Sequence, residues 1–240
     1  MNNPEISRWI FFSKQGDRNA YENLVKYAQN IVYGYAFRFL THDKEARQVV
    51  VNTFVRIWSQ IPIYDQTFNF DTWVYKIASY VGLKEIHDSA RAMSIRIPTN
   101  EPKKQLEGAN AVLGENLREL TAEMEAPIRN IFVLRYLQKL EIREISVITG
   151  LSIEHIKILM ENIREVINVH HGEESENIMT DEEMMKFMAS YREVCPVLDN
   201  PSELTAEIMS HIHEHKHLKH EEVKTIWDSM EEFLHKVFKR

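Results

Sequence analysis

The stretch LEIREISVITGLSIEHIKILMENIREVI, residues 140–167, reads as two helices around a glycine turn. Ile142, Ile145 and Ile148 recur at three-residue steps and give the first helix one apolar face. Gly150 falls where that helix must end, because a glycine takes the left-handed conformation past a helix C-terminus without a Cβ penalty. Ser152 then offers a hydroxyl to cap a second helix. This is the sequence form of a helix-turn-helix. The second helix directs Ile153, Ile156, Leu159, Met160, Ile163 and Ile167 inward, leaving Ser152, Glu154, His155, Lys157 and Arg164 for solvent or for a nucleic-acid groove. The same spacing also suits a packed helical hairpin. A further apolar helix, IRNIFVLRYLQ, precedes the pair at residues 128–138.

The rest of the chain is helical in character too. Seven glycines and seven prolines in 240 residues are too few for a many-stranded β fold, and a hydrophobic content of 44% can fill one to three cores. A single cysteine, Cys195, excludes an internal disulfide framework and suits a reducing cytosol. No apolar run reaches the ~20 residues of a membrane helix, and MNNPEISRW lacks the layout of a signal peptide, so a cytoplasmic protein without membrane contact is expected.

Punctuation divides the chain. SIRIPTNEPKKQLEGAN, residues 94–110, has no helical period and reads as a linker between a first domain, residues 1–93, and a helix-turn-helix domain, residues 111–171. HHGEESENIMTDEE, residues 170–183, is a second break. Beyond it, residues 179–240 predict helices at 181–193, 202–213 and 220–238, and the last carries Val223, Trp227, Met230, Phe233, Leu234 and Val237 as an apolar stripe. Charge follows the same division. From residue 173 onward there are 16 acidic against 8 basic residues, net −8, whereas residues 1–172 carry 20 against 21 and come to +1. The acidic tail is either a solvated helical surface or an intramolecular cover that competes with nucleic acid for basic surfaces.

Residues 16–65, GDRNAYENLVKYAQNIVYGYAFRFLTHDKEARQVVVNTFVRIWSQIPIYD, run on into FNFDTWVYKIASYVGLKEIHDSAR at 68–91. Through Gly16, Asp17, Ala20, Leu24, Ala46, Phe54, Arg56, Trp58, Phe70, Trp73, Ile77, Ala78 and Arg91 these stretches resemble region two of the extracytoplasmic-function (ECF) group of bacterial sigma factors. The C-terminal helix pair resembles region four of that group through Ile131, Phe132, Leu134, Arg135, Tyr136, Leu140, Ile145, Gly150 and Lys157. The resemblance implies an all-α, non-enzymatic transcription initiation protein whose partners are core RNA polymerase and promoter DNA. It places Gln48, Asn52, Phe54, Arg56 and Trp58 on or behind the polymerase-binding helix, and Lys76, Tyr80, Lys84, His87 and Arg91 on the helix at the melted promoter element. Ser152, Glu154, His155, Lys157 and Arg164 fall to the recognition helix in the upstream major groove.

Departures from the family pattern run in one direction. Gln48, Val51 and Asn52 replace the polar and acidic residues usual on the polymerase helix; Ser79, Tyr80 and His87 replace family Arg, Asn and basic positions; Ile158, Leu159, Met160 and Asn162 stand where the recognition helix usually carries arginine among others. Arginine supplies bidentate base contacts worth about 1–3 kcal/mol of discrimination each, so the alternative to a sigma factor is a sigma-shaped regulator acting through protein contacts. Tyr64, Phe68, Phe70, Trp73, Tyr75 and Tyr80 supply aromatic faces suited to unpaired bases, with Phe70, Trp73 and Ile77 assigned to packing and Tyr80 and Lys84 to an exposed strand-contacting face. MTDEEMMKFM at 179–188 looks like the opening of an anti-sigma protein, so residues 179–240 are expected either to contact the sigma-like domains intramolecularly or to meet an anti-sigma partner.

HIHEHKHLKH, residues 211–220, spaces His211 with His215 and His213 with His217 as helical chelating pairs, but without a cysteine partner or catalytic glutamate the solvated reading is preferred. No metal and no cofactor are expected. There is no glycine-rich phosphate loop and no nucleophile elbow, and Cys195 reads as a small apolar residue rather than a nucleophile.

Overall fold

The computed structural model describes residues 3–65, 67–93, 109–170, 178–214 and 220–238. It is all-α, with no strand among the described residues. Helix α1 (Pro4–Lys14) is capped by Asn3, and α2 (Arg18–Leu40) by Asp17, whose carboxylate accepts from the amides of Asn19 at 2.9 Å and Ala20 at 3.1 Å. Helix α3 (Asp43–Gln60) leads through a 3₁₀ turn at Ile61–Ile63 into α4 (Phe70–Met93). These four form one bundle around Tyr21, Leu24, Phe37, Phe54, Ile57, Trp73 and Ile77. Gly82 of α4 lets two helices approach closely: a Cβ there would meet the Phe39 ring of α2 at 3.1 Å.

The expected linker lies outside the described residues for 94–108, while Ala109 and Asn110 belong to α5 (Ala109–Leu120). Helix α6 (Ala126–Phe132) runs into a π-helical segment, Val133–Leu137, that sequence periodicity does not announce. Helices α7 (Ile142–Thr149) and α8 (Ile153–His170) follow. Gly150 joins them at φ +74° with its amide donating to the Ser146 carbonyl at 2.9 Å, and the Ser152 hydroxyl accepts from the His155 amide at 3.2 Å. Ile145, Ile148, Ile156, Met160, Ile163 and Ile167 are buried, as their period requires.

The tail forms α9 (Asp181–Phe187), α10 (Ala189–Glu193), α11 (Pro201–Glu214) and α12 (His220–Phe238); the helix expected over 181–193 is interrupted at Met188. None of these stands apart. Helix α11 packs on α2 and α3, where the Thr205 hydroxyl donates to Gln29 at 3.0 Å. Helix α12 lies against the 3₁₀ turn, α3, α4 and α7, burying Met230, Leu234 and Phe238. Each such side chain removed from water contributes about 1.5–3 kcal/mol. Val223 and Trp227 of the expected stripe lie outside the described side chains.

Around and between α10 and α11 the chain is stitched in turn to the π-helical segment and to α2, α5 and α3. Arg192 donates to the Tyr136 carbonyl at 2.8 Å, and buried Arg38 of α2 donates to the carbonyls of Arg192 at 3.3 Å and Val194 at 3.4 Å. The Asn110 amide group of α5 both donates to the Val197 carbonyl at 2.9 Å and accepts from the Val197 amide at 3.0 Å, and Arg47 of α3 donates to the Asp199 carbonyl at 2.7 Å. Cys195, expected as a small apolar filler, is exposed in this strap, because the strap crosses the surface and its hydrogen bonds are made by main chain rather than by inward side chains.

Candidate nucleic-acid and polymerase interfaces

Helix α4 is the centre of the arrangement, and it is covered from two sides. On one side lie α6 and α7. Asn130, wholly buried, accepts through Oδ1 from the Tyr35 hydroxyl at 2.6 Å and from the Ser79 hydroxyl of α4 at 3.3 Å. Glu144 of α7 accepts from the Thr72 hydroxyl at 3.0 Å and the Asn69 amide group at 3.4 Å with one oxygen, and from the Glu141 amide at 2.9 Å with the other. One carboxylate thus closes the start of α7 and holds the start of α4. Tyr75 donates to Gln138 at 3.1 Å. Tyr27 donates to Asp71 at 3.1 Å; burial, and then the Glu144 charge, push the Asp71 carboxyl above its ordinary value against that hydrogen bond, and the Tyr27 phenol is pushed up to about 12, chiefly by burial.

On the other side lies α12. Lys76 donates to Glu231 at 2.8 Å. The Tyr80 ring meets Phe233 edge-on at 5.3 Å between centroids, His87 meets the same ring at 6.0 Å, and the Arg56 guanidinium of α3 sits 4.7 Å from the Tyr80 centroid. Tyr80, expected on an exposed strand-contacting face, is therefore 8% exposed. The 3.6 period placed it off the bundle core, but Phe233 and Arg56 enclose it. Lys76 is likewise buried, whereas Lys84 and His87 are exposed; Arg91 lies outside the described side chains. Phe70, Trp73 and Ile77 are core, as their spacing predicts.

The other candidate residues fall into two groups. Gln48 and Asn52 are exposed on α3 and hydrogen-bond each other at 3.2 Å, while Phe54 and Trp58 are buried behind them, Trp58 edge-on to Tyr21 at 4.9 Å. On α8, Ser152, Glu154 and Lys157 are exposed. Arg164 is half-buried and donates to the Tyr136 hydroxyl at 3.3 Å. His155 is half-buried, and with Leu159, Pro127 and Ile128 it lines a cavity of about 300 Å³ whose remaining walls include Val237 and Phe238 of α12. Ile158 is 57% exposed on the outward face of this helix.

Residues that the sequence did not single out are Asn130, Glu144, Asn110, Arg38 and Glu231. A polar residue inside an apolar run, as Asn130 is in IRNIFVL, was the one available signal. His211 and His213 are exposed, and the remainder of the histidine cluster lies outside the described side chains; no group of metal-binding side chains occurs among the described residues. Among the described residues no helix is long and apolar enough to cross a membrane.

The class follows from the first bundle: residues 24–92, from α2 through α4, match the Sigma-70 region 2 family. The chain carries a sigma-70 region 2 domain and is homologous to ECF sigma factors of transcription initiation. It is 21% identical over 176 residues to the ECF RNA polymerase sigma factor SigW of Bacillus subtilis, spanning 68% of this chain and 94% of that relative. It is 23% identical over 156 residues to the RNA polymerase sigma factor YlaC of the same organism, spanning 61% and 89%. Among solved structures, the sigma factor RpoE in complex with the anti-sigma factor NepR from Bartonella quintana superposes with a TM-score of 0.46 at 15% identity, covering 63% of this chain and 94% of that one.

Proposed function

We propose that the protein is a sigma factor that binds core RNA polymerase and promoter DNA in the cytoplasm and is held closed in cis by residues 179–240. The observation that carries this reading is α12 laid along α4, with Glu231 on Lys76 and Phe233 on Tyr80. The tail places acidic and apolar groups on the helix whose homologous face would meet the melted element, and it leaves Gln48 and Asn52 open on α3. Docking of the polymerase on α3 and release of α4 are then separate events. The working division is residues 1–93 for polymerase and melted DNA, residues 111–171 for the upstream major groove through Ser152, Glu154, Lys157 and Arg164, and the tail as regulator.

Run-off transcription with core polymerase and genomic promoter fragments tests this, comparing the full chain with residues 1–172. The expected result is promoter-specific transcript that rises on truncation and falls when the separate 179–240 segment is added. No specific transcript or promoter binding from either form in the presence of polymerase overturns it. Exposed Ile158, where a groove-reading helix would favour a polar side chain, supports the second reading, a regulator acting through protein contacts; that reading predicts polymerase binding without a specific gel shift.

A further inference from the structure

Beside α4 lies a cavity of about 190 Å³ whose lining includes Tyr64, Asp65, Phe68, Trp73 and Lys76 and, from α12, Glu231. The Tyr64 and Trp73 rings lie 4.9 Å apart. The Tyr64 hydroxyl donates to the Phe68 carbonyl at 2.9 Å, which fixes the loop between the 3₁₀ turn and α4. Asp65 accepts from the Thr67 amide at 3.0 Å, a bond made within that loop. Tyr64 and Trp73 are nearly closed off, at 4% and 2% exposed, so the cavity offers the half-buried Phe68 ring, one ammonium and the Asp65 carboxylate. The Lys76 side chain is 9% exposed, and a charge so desolvated needs an anion. Glu231 supplies it at 2.8 Å, from a side chain that is itself 50% exposed.

Aromatic faces beside a cation are the means by which proteins hold an unpaired base and its backbone phosphate. A carboxylate at 2.8 Å makes the same short, charge-assisted hydrogen bond to an ammonium that a phosphate oxygen makes. We propose that Glu231 is a phosphodiester surrogate: its carboxylate occupies the place on Lys76 that a single-stranded DNA phosphate takes in the open state, so tail and DNA exclude each other by competing for one ammonium. This rests on the sigma-factor reading above and adds the group through which the tail regulates. It differs from a steric cover in one measurable way. When DNA displaces a carboxylate from Lys76, the cation released from the phosphate is offset by the cation that the freed Glu231 carboxylate attracts, and the salt dependence of DNA binding falls short by about one charge.

The experiment is a fluorescence-anisotropy titration of a labelled single-stranded oligodeoxynucleotide with the full chain, repeated from about 50 to 200 mM salt. Glu231→Gln is expected to bind on the order of tenfold tighter and to steepen the log–log salt slope by about 0.7, the single-strand value for one phosphate contact. Phe233→Ala, which loosens α12 while keeping the carboxylate, is expected to tighten binding with no change in slope. Lys76→Met is expected to weaken binding and to abolish the effect of Glu231→Gln in the double variant. If Glu231→Gln leaves affinity unchanged, or tightens binding at an unchanged slope as Phe233→Ala does, the surrogate is refuted and α12 is a steric cover. The same variants assayed by run-off transcription separate the two readings. Promoter-specific transcript with no Glu231 effect overturns the surrogate alone, and absence of both transcript and polymerase binding overturns the sigma-factor reading and the surrogate together.

Discussion

The two covers of α4 are built differently. The α6 and α7 side is joined by directional hydrogen bonds among buried groups, with Asn130, Tyr35 and Ser79 at its centre. The α12 side is joined by an apolar ridge, Met230, Leu234 and Phe238, and one ion pair whose carboxylate is half in water. Buried polar contacts are satisfied in one geometry and costly in any other. An apolar ridge tolerates sliding, and Glu231, half in water, can leave Lys76 without being stranded in an apolar site. The difference makes the first cover a structural joint and the second a detachable one.

The largest expected effect is on the detachable side. Met230→Ala with Leu234→Ala removes two buried side chains, each at about 2–5 kcal/mol, and should undock α12 while α1 to α8 keep their own cooperative melting. Hydrogen exchange should show loss of protection in residues 220–238 with α4 to α8 still protected. Simultaneous loss across α7 and α8 would mean that the two covers form a single unit. Next, Asn130→Ala leaves the Tyr35 and Ser79 hydroxyls without their shared acceptor and should cost about 1–3 kcal/mol, seen as a fall of the main thermal transition by about 2–4 °C per kcal/mol, with α12 protection unchanged.

A smaller effect is expected for Glu144→Gln, which keeps the shape but weakens the charge-assisted bonds to Thr72 and Asn69, at about 1 kcal/mol in the same melt. The smallest concerns pH. The Asp71 carboxyl is raised above its unfolded value, so its contribution is fully present below that unfolded value and is lost as pH rises through the folded one. Mild acid should therefore tighten the α4 and α7 joint slightly, and Asp71→Asn should remove that dependence in melts compared across the carboxylate range.

The sequence made local features legible and contacts between distant segments illegible. Gly150 and Ser152 act on backbone groups within four residues of themselves, so the turn between α7 and α8 could be read directly. The stripe on α12 required a burial partner but did not name one, because many apolar surfaces satisfy a period. Tyr80 shows the same limit: its position on α4 was predictable, whereas its burial depends on Phe233, about 150 residues later. Asn110 pairs with Val197 through a side-chain amide that imitates a backbone strand edge, an arrangement that leaves no trace in composition or spacing. The π-helical segment Val133–Leu137 has no signature of its own in the apolar spacing of IRNIFVLRYLQ, which suits an ordinary helix equally.

Glu231 follows Arg91 by about 140 residues, and that separation carries a consequence in time. A ribosome adding about 5–20 residues per second needs roughly 7–28 s to travel from the end of α4 to the middle of α12. For that interval the bundle of α1 to α4 has left the ribosome and its detachable cover has not. Every newly made molecule thus passes through an uncovered stage before it closes, and the rate of translation sets how long each copy spends there.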